Sequence, residues 1–546
     1  MPDYDAVVIG AGAAGAIVAC LLAEAGKQVL LLERGPNLDT GQIGRDHLRN
    51  QRLSQYGHNA GPDSDGHPRV ATGLFGERYL VRPHEGGYQN NAACVGGGTR
   101  VYGAQAWRFM EEDFRMASLY GVPEGSSLAD WPLSYNDLEP YYERAEWELG
   151  VCSDSEAHAP PVPRRKSYPM PPMPLTRSGQ VLARGAQALG WKTCTPPLLI
   201  NSVPYNGRPA CVQCQHCVGF DCPSNAKNGT HNTLLPRALA TGLCTLKTRA
   251  VAERIETDGR GNVTGVSYIL EENGRLERHT VTAKRVVVSA GAIESARLLL
   301  LSASPHHPNG LGNRYDLVGR NLQGHYYPGA FGLMEEPVYD GIGPGVCIAT
   351  CQFNHHNPGI VGGGMLANEF IKLPIIFWKN ALPPDLPRRG LENKRWMREN
   401  YRRTLHVMGP VHEIPNPNCR VTLDPDVRDR YGLPVGRFEG VAHPETVRTA
   451  HYMWGRAKEW LLASGAIKVW GDPPGYHLSA GQHQAGTCRM GHDPKTSVTD
   501  PWGRVHDFDN LFVIDASLHV TNGGFNPVLT IMALAYRCGE HLVRSF

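Results

Sequence analysis

Short apolar blocks at residues 6–9 and 29–32 flank a longer stretch of small and aliphatic residues, 13–25, and a glycine turn separates the first block from that stretch. Brief apolar runs bounded by turn residues predict buried strands, and the longer stretch predicts a helix. The chain therefore opens as strand, turn, helix and strand, one half of a doubly wound sheet. Residues 35–87 are polar and rich in Gly and His, which predicts loops without regular elements. Residues 159–174 are Pro-rich and carry the basic run Arg164-Arg165-Lys166. Proline lacks the amide a helix or central strand needs, so this stretch predicts a surface connection. Alternating strands return between 245 and 292, including 266–270 and 285–288, and a helix follows over 293–301, a second contribution to the first sheet. Residues 321–474 mix aromatic runs with polar loops and read as a cap over a site. A strand over 510–515 and a helix entered through Asn526-Pro527 end the pattern, with no internal repeat.

The chain has 546 residues, more than one compact core usually sustains, so two closely built domains are expected. Its 54 Lys and Arg against 52 Asp and Glu leave a formal charge of +2, which argues against nucleic-acid partners and anionic membranes. Met1 to Asp5 lead straight into apolar residues without an export signal, and no apolar stretch approaches the length of a membrane span. A soluble, cytoplasmic protein is the expectation. Fourteen cysteines, mostly scattered singly, predict free thiols in a reducing compartment.

Gly10-Ala11-Gly12-Ala13-Ala14-Gly15 follows the first strand and opens the first helix, and Glu33 ends the second strand. Gly10 permits the tight turn, Gly12 lets the backbone approach a pyrophosphate at the helix N-terminus, and Gly15 allows close helix–strand packing. Glu33 is placed to accept from a ribose hydroxyl. A lone glycine box is weak evidence, but strand, helix and acid in register predict a dinucleotide site. Glycines alone do not separate FAD from NAD.

Five further blocks occur in order. They are Val95-Gly96-Gly97-Gly98-Thr99 leading to Trp107-Arg108-Phe109, Ser289-Ala290-Gly291-Ala292-Ile293-Glu294-Ser295, Val318 to His325, His483-Gln484-Ala485-Gly486-Thr487-Cys488-Arg489-Met490-Gly491, and Asn510 to Ser517 followed by Asn526-Pro527. With them the chain resembles the glucose-methanol-choline (GMC) oxidoreductases over nearly its whole length. The resemblance implies FAD, and an α/β fold in which a Rossmann-like FAD-binding domain (1–35, 85–110, 205–320 and 480–546) is interleaved with an α+β substrate or cap domain (36–84, 111–204 and 321–479) built on an antiparallel sheet. It assigns Gly10, Gly12, Gly15, Glu33 and Arg34 to the adenosine half. Gly97, Gly98, Thr99, Gly103 and Ala104 fall along the isoalloxazine, Val251 at the adenine, and Ala290, Asp515 and Pro527 at the rest of the cofactor. Where pyranose oxidases of the family tether FAD through a histidine, this chain has Val101, so the flavin is expected to be non-covalent.

Oxidising an alcohol by hydride transfer needs a base for the hydroxyl proton. His483 matches the family's catalytic histidine, and imidazole is readily neutral near pH 7. Asn526 matches the second catalytic position, where an amide can orient the hydroxyl; Asn before Pro is also a common helix N-cap. His492 and His519 miss the motif and are read as bystanders. The branch resembled oxidises sugars, glycosides or aminosugars, including the primary alcohol of paromamine, and passes electrons to oxygen or to a soluble or quinone acceptor. Oxidation of apolar alcohols or sterols, and a flavoprotein that only relays electrons, are the alternatives. Cys211-x2-Cys214-x2-Cys217-x4-Cys222 has the close spacing of zinc or iron–sulfur ligands. The same pattern also fits packing or disulfides, and its third and fourth thiols lie further apart than in cluster-bearing glucose dehydrogenases, so no cluster is expected.

Overall fold

A computed structural model describes residues 2–43, 60–63, 65–89, 92–154, 162–368, 373–479 and 481–546. Its spine is one long strand, Arg275–Val288, whose two halves belong to different kinds of sheet. The first half pairs antiparallel with Val263–Glu272, which in turn pairs with Ala250–Thr257. The second half pairs parallel with Tyr4–Ile9 on one side and Leu511–Val513 on the other. Beyond Tyr4–Ile9 lie Val29–Leu32 and Cys244–Lys247, also parallel. Sequence accounts for the split. Val286, Val287 and Val288 are fully buried, as a strand covered on both faces requires, whereas 275–278 are exposed.

The first helix, Gly15–Glu24, is apolar all round and buried from Gly15 to Ala23. It packs between the parallel strands and the last helix, Val528–Arg544, where a Cβ on Gly539 would lie 2.8 Å from Leu21. On the other side of that last helix lies Tyr135–Leu149, opened by a Ser134–Asp137 capping box. A separate antiparallel sheet has the order Ala349–Thr350, Leu366–Asn368, Thr404–Met408, Gly329–Leu333, Lys468–Trp470, with the twenty-residue helix Pro444–Ala463 against it.

One expectation is corrected. Residues 35–87 are not all loop: Arg69–Thr72 and Arg78–Val81 form a hairpin that extends the pair Arg420–Arg428 and Pro434–Glu439 into a four-stranded sheet. Residues 78–80 of the outer strand are exposed, so no apolar alternation marks it. Much of that loop reading, 44–59 and 64, lies outside the described residues, as do 155–161 of the Pro-rich connection. The remainder of that connection runs along the surface but is anchored through three buried side chains. Tyr168, Met170 and Met173 are buried, and the Arg164 guanidinium sits 3.8 Å over the Tyr168 ring while pairing with buried Glu146. Among the described residues no helix is long and apolar enough to cross a membrane.

Candidate active site

A cavity of about 480 Å³ opens at the carboxyl ends of the parallel strands, a volume suited to a cofactor-sized ligand. Residues from every expected segment line it: Gly10, Gly12, Glu33, Arg34, Gly97, Gly98, Thr99, Gly103, Ala104, Val251, Ala290, Asp515 and Pro527, together with His483 and Asn526. Gly15 does not line it. A Cβ there would fall 1.9 Å from the Gly10 carbonyl oxygen, so this glycine serves close packing inside the turn. Gly10 has φ +104° and a Cβ on it would meet the Ser289 carbonyl at 2.4 Å. Gly12 and Gly98 differ: a Cβ on either meets no protein atom within 4 Å and, both being on the lining, would take ligand space.

Glu33 accepts from the Ala11 amide at 2.9 Å and the Gly35 amide at 2.8 Å, pinning the glycine turn to the second strand. Burial raises its pKa against the pull of those amides. Asp515 is more fully used. One oxygen accepts from the Gly291 amide and the Ser295 hydroxyl, the other from the Ser517 amide and hydroxyl, all at 2.6–2.9 Å. It locks the Ala290–Gly291 turn to the end of the last strand. Arg34 belongs to a buried network missed in the sequence: Glu294 faces Arg69 at 2.6 Å, Arg297 at 3.2 Å and Arg34 at 3.5 Å. Burial alone would raise the Glu294 pKa, but the three guanidiniums hold it well below the carboxylate range.

At the other end, Tyr327 joins the two expected catalytic side chains. Its hydroxyl accepts from Asn526 Nδ2 at 3.0 Å and lies 3.3 Å from His483 Nδ1. Asn526 does not cap the last helix: Pro527 holds the N-cap position without a side-chain bond, and Asn526 Oδ1 is a buried acceptor with no partner. His483 has φ +61°, which costs a β-carbon residue on the order of 1–3 kcal/mol and persists only where the surroundings impose it. Here Asn522 Nδ2 donates to the His483 carbonyl at 2.7 Å and to the Gly324 carbonyl at 3.0 Å, while Gln323 and Ala485 exchange backbone bonds alongside. His325 Nδ1 approaches His483 Nδ1 to 2.9 Å. His325, Tyr327 and Asn522 carried no assigned role in the sequence, although His325 closes one of the blocks noted there. His492 is exposed and His519 is buried off the cavity.

A second, larger cavity of about 1130 Å³ shares Tyr327, Met408 and Gln482 with the first. Its wall is aromatic, with Tyr79, Tyr326, Phe331, Phe377 and Tyr476, interrupted by polar groups such as Gln89, Asn380, His406 and Ser479. No Lys or Arg lines it among the described residues.

Family models described as GMC oxidoreductase match residues 4–327 and 415–535. The chain belongs to the GMC oxidoreductase family. It is 31% identical to the fructose dehydrogenase large subunit of Gluconobacter japonicus, covering 99% of this chain and 98% of that protein. It is 33% identical to 2-methyl-1,2-propanediol dehydrogenase of Mycolicibacterium austroafricanum, at 99% and 95% coverage. It is also 31% identical to paromamine 6'-oxidase of Streptomyces fradiae, at 98% and 91%. The fold is shared with pyridoxine 4-oxidase from Mesorbium loti, at TM-score 0.64, 18% identity and 98% coverage of both chains. GMC oxidoreductases bind FAD, and the protein's residues fit it: two glycines leave open space on the lining, and the Asn526 oxygen awaits a donor.

The cysteine segment, Cys211 to Cys222, folds around a buried lysine. Among the described residues no three sulfurs of Cys211, Cys214, Cys217 and Cys222 come within ligating reach of one another. The loop wraps the buried Lys227 ammonium, which donates to the carbonyls of Cys217, Phe220 and Tyr102 at 2.6, 2.8 and 3.1 Å and so holds Val218 on the wall of the 480 Å³ cavity. The set of potential ligands that does converge, Asp113, His355 and His412, closes its own hydrogen bonds. His412 Nδ1 lies 3.1 Å from both the amide nitrogen and the carbonyl oxygen of Gly363, its Nε2 meets Asp113 Oδ1, and His355 Nε2 lies 3.2 Å from the same oxygen. Burial would raise the Asp113 pKa, but the two imidazoles hold it well below its usual range.

Proposed function

We propose that this GMC oxidoreductase oxidises a carbinol carbon of a sugar, glycoside or aminosugar, with His483 taking the hydroxyl proton and Asn526 holding the hydroxyl in place. The observation that supports this most directly is the Tyr327 bridge between His483 and Asn526 at the junction of the two cavities. A hydroxyl lodged there can donate to the His483 imidazole and to the unpartnered Asn526 Oδ1 in turn. FAD, when bound, supplies the acceptor for the hydride that leaves the same carbon. Loss of the proton to His483 raises electron density on the alkoxide oxygen and so weakens the C–H bond. The product is a carbonyl, and electrons pass onward to oxygen or a soluble acceptor.

The polyol class is supported by the outer cavity, whose aromatic faces and convergent amide, imidazole and hydroxyl groups suit rings bearing several hydroxyls. Relatives named for fructose and for paromamine point the same way. A compact diol, the substrate named for the 33% identical relative, would leave most of an 1130 Å³ cavity unused. Flavin is held without a covalent bond, because the Val101 side chain on the cavity wall is a hydrocarbon. Anaerobic bleaching of the flavin by fructose, methyl glucoside, paromamine, 2-methyl-1,2-propanediol and a long-chain alcohol tests the reading. Bleaching by one or more of the first three is expected. Bleaching by the long-chain alcohol alone would replace the substrate class, and bleaching by none would overturn the proposal.

A further inference from the structure

We infer that His325 is a positioning residue that fixes the tautomer of His483, so that Nε2 of His483 is the atom that receives the substrate proton. The inference rests on the reading of His483 as base. It begins from what surrounds His325 Nε2, namely two backbone carbonyl oxygens, Gly523 at 2.9 Å and Asn522 at 3.1 Å. Carbonyls only accept, so His325 Nε2 carries a hydrogen. Burial pushes the His325 pKa down to about 4 against the opposing pull of those carbonyls, so the ring is neutral and its Nδ1 is a bare acceptor. His483 Nδ1 lies 2.9 Å away, with the rings at 80°. Two lone pairs cannot face each other at that distance, so the shared hydrogen belongs to His483 Nδ1. A neutral imidazole with hydrogen on Nδ1 has its basic lone pair on Nε2.

The Tyr327 hydroxyl, 3.3 Å from the same Nδ1, is therefore a secondary acceptor of that hydrogen and the direct acceptor of the Asn526 amide. When Nε2 takes the hydroxyl proton, His483 becomes an imidazolium whose Nδ1–H still points at His325. The charge is then spread through His325 onto the carbonyl dipoles of Asn522 and Gly523. A neutral imidazole in this place orients the base as the carboxylate of a hydrolase triad does, without the strong rise in basicity a buried carboxylate would bring. The left-handed backbone of His483 has a use in this scheme, since the Asn522 clamp on its carbonyl sets the ring against its partner.

The test compares His325→Phe, which keeps a ring and loses both nitrogens, with His325→Asn, whose amide oxygen can replace Nδ1 as acceptor. Flavin reduction is followed by rapid mixing with paromamine or fructose. His325→Phe is expected to slow reduction by about a hundredfold or more with little change in substrate dissociation constant, and His325→Asn to recover to within about tenfold of wild type. Wild-type speed in His325→Phe, or equal loss in both variants with weakened substrate binding, overturns the inference. If His325→Phe sheds its flavin, His325→Ala takes its place against His325→Asn. A readout without substrate comes from nitrogen-15 histidine spectra of flavin-loaded protein, with the His483 signals assigned by their loss in His483→Gln. A protonated Nδ1 and bare Nε2 are expected, and the opposite tautomer overturns the inference. Wild-type reduction by His483→Gln would instead sink the base reading itself.

Discussion

The two ends of the smaller cavity are built on different principles. The end proposed for the adenosine half is made of backbone: Gly10, Gly12 and the helix behind them, tied by one carboxylate to the neighbouring strand. Gly10, Gly12 and Glu33 lie within one contiguous strand–turn–helix–strand unit. The end proposed as catalytic is made of side chains from three segments, around 325, 483 and 526, joined by Tyr327, His325 and Asn522. The first end should therefore fail all at once when a Cβ is added, and the second should lose rate in steps while the fold persists.

The largest effect is expected from Gly10→Val. The added side chain meets the Ser289 carbonyl, and a β-branched residue at φ +104° is strained wherever it sits, so the variant should not accumulate as a folded flavoprotein. Gly12→Leu sharpens the point. Its Cβ meets no protein atom, so the chain should fold with native far-ultraviolet dichroism yet purify colourless, because the side chain occupies ligand space. A yellow Gly12→Leu protein with a full complement of FAD would show that the cofactor lies elsewhere.

His483→Ala comes next. It should keep its flavin and reduce it at least about a hundredfold more slowly than wild type, the usual scale for losing a general base. Stopped-flow bleaching measures this, and an unchanged rate would move the base to another residue.

Stability against pH gives a further test behind His483. Glu413 backs the catalytic end, accepting from Gly324 N–H at 2.7 Å and from the Ser479 hydroxyl, and burial pushes its pKa up to about 7 despite these bonds. A carboxyl raised above its ordinary value binds a proton more tightly folded than unfolded. Its contribution is thus fully present below about pH 4.5 and is lost as pH rises to about 7, on the order of 3 kcal/mol in all. Glu413→Gln should flatten the fall in unfolding temperature between pH 5 and 8, and a fall as steep as wild type would show that Glu413 is not its source.

The same contrast explains what could be read in the sequence. The first unit was legible because its apolar periodicity and glycines are local, and the structure keeps Val29–Leu32 at the predicted bounds. Tyr327, Asn522 and the role of His325 were not, because the contacts that give them their place are with partners 39 to 199 residues away. The hairpin at 69–81 was hidden by the exposure of its outer strand. The Lys227 contacts were hidden for a related reason: cysteine spacing says nothing of carbonyls, and it is the carbonyls of Cys217 and Phe220 that this loop turns onto the Lys227 ammonium.

The smallest effect probes the junction itself. Asn526→Ala removes both the amide donated to Tyr327 and the unpartnered Oδ1, while leaving the His325–His483 pair in place. One orienting hydrogen bond to a neutral hydroxyl is worth about 1.4 kcal/mol, so flavin reduction should slow by roughly tenfold. Tyr327→Phe removes only the bridge and should cost less than that, because its contact with His483 is the secondary one. If the side chains act as one assembly around His483, the double variant Asn526→Ala with Tyr327→Phe should be slowed by less than the product of the single losses, since the two share one hydrogen bond. Losses that multiply in full would mean that Tyr327 and Asn526 act on the substrate independently and that the bridge between them does not organise the catalytic end.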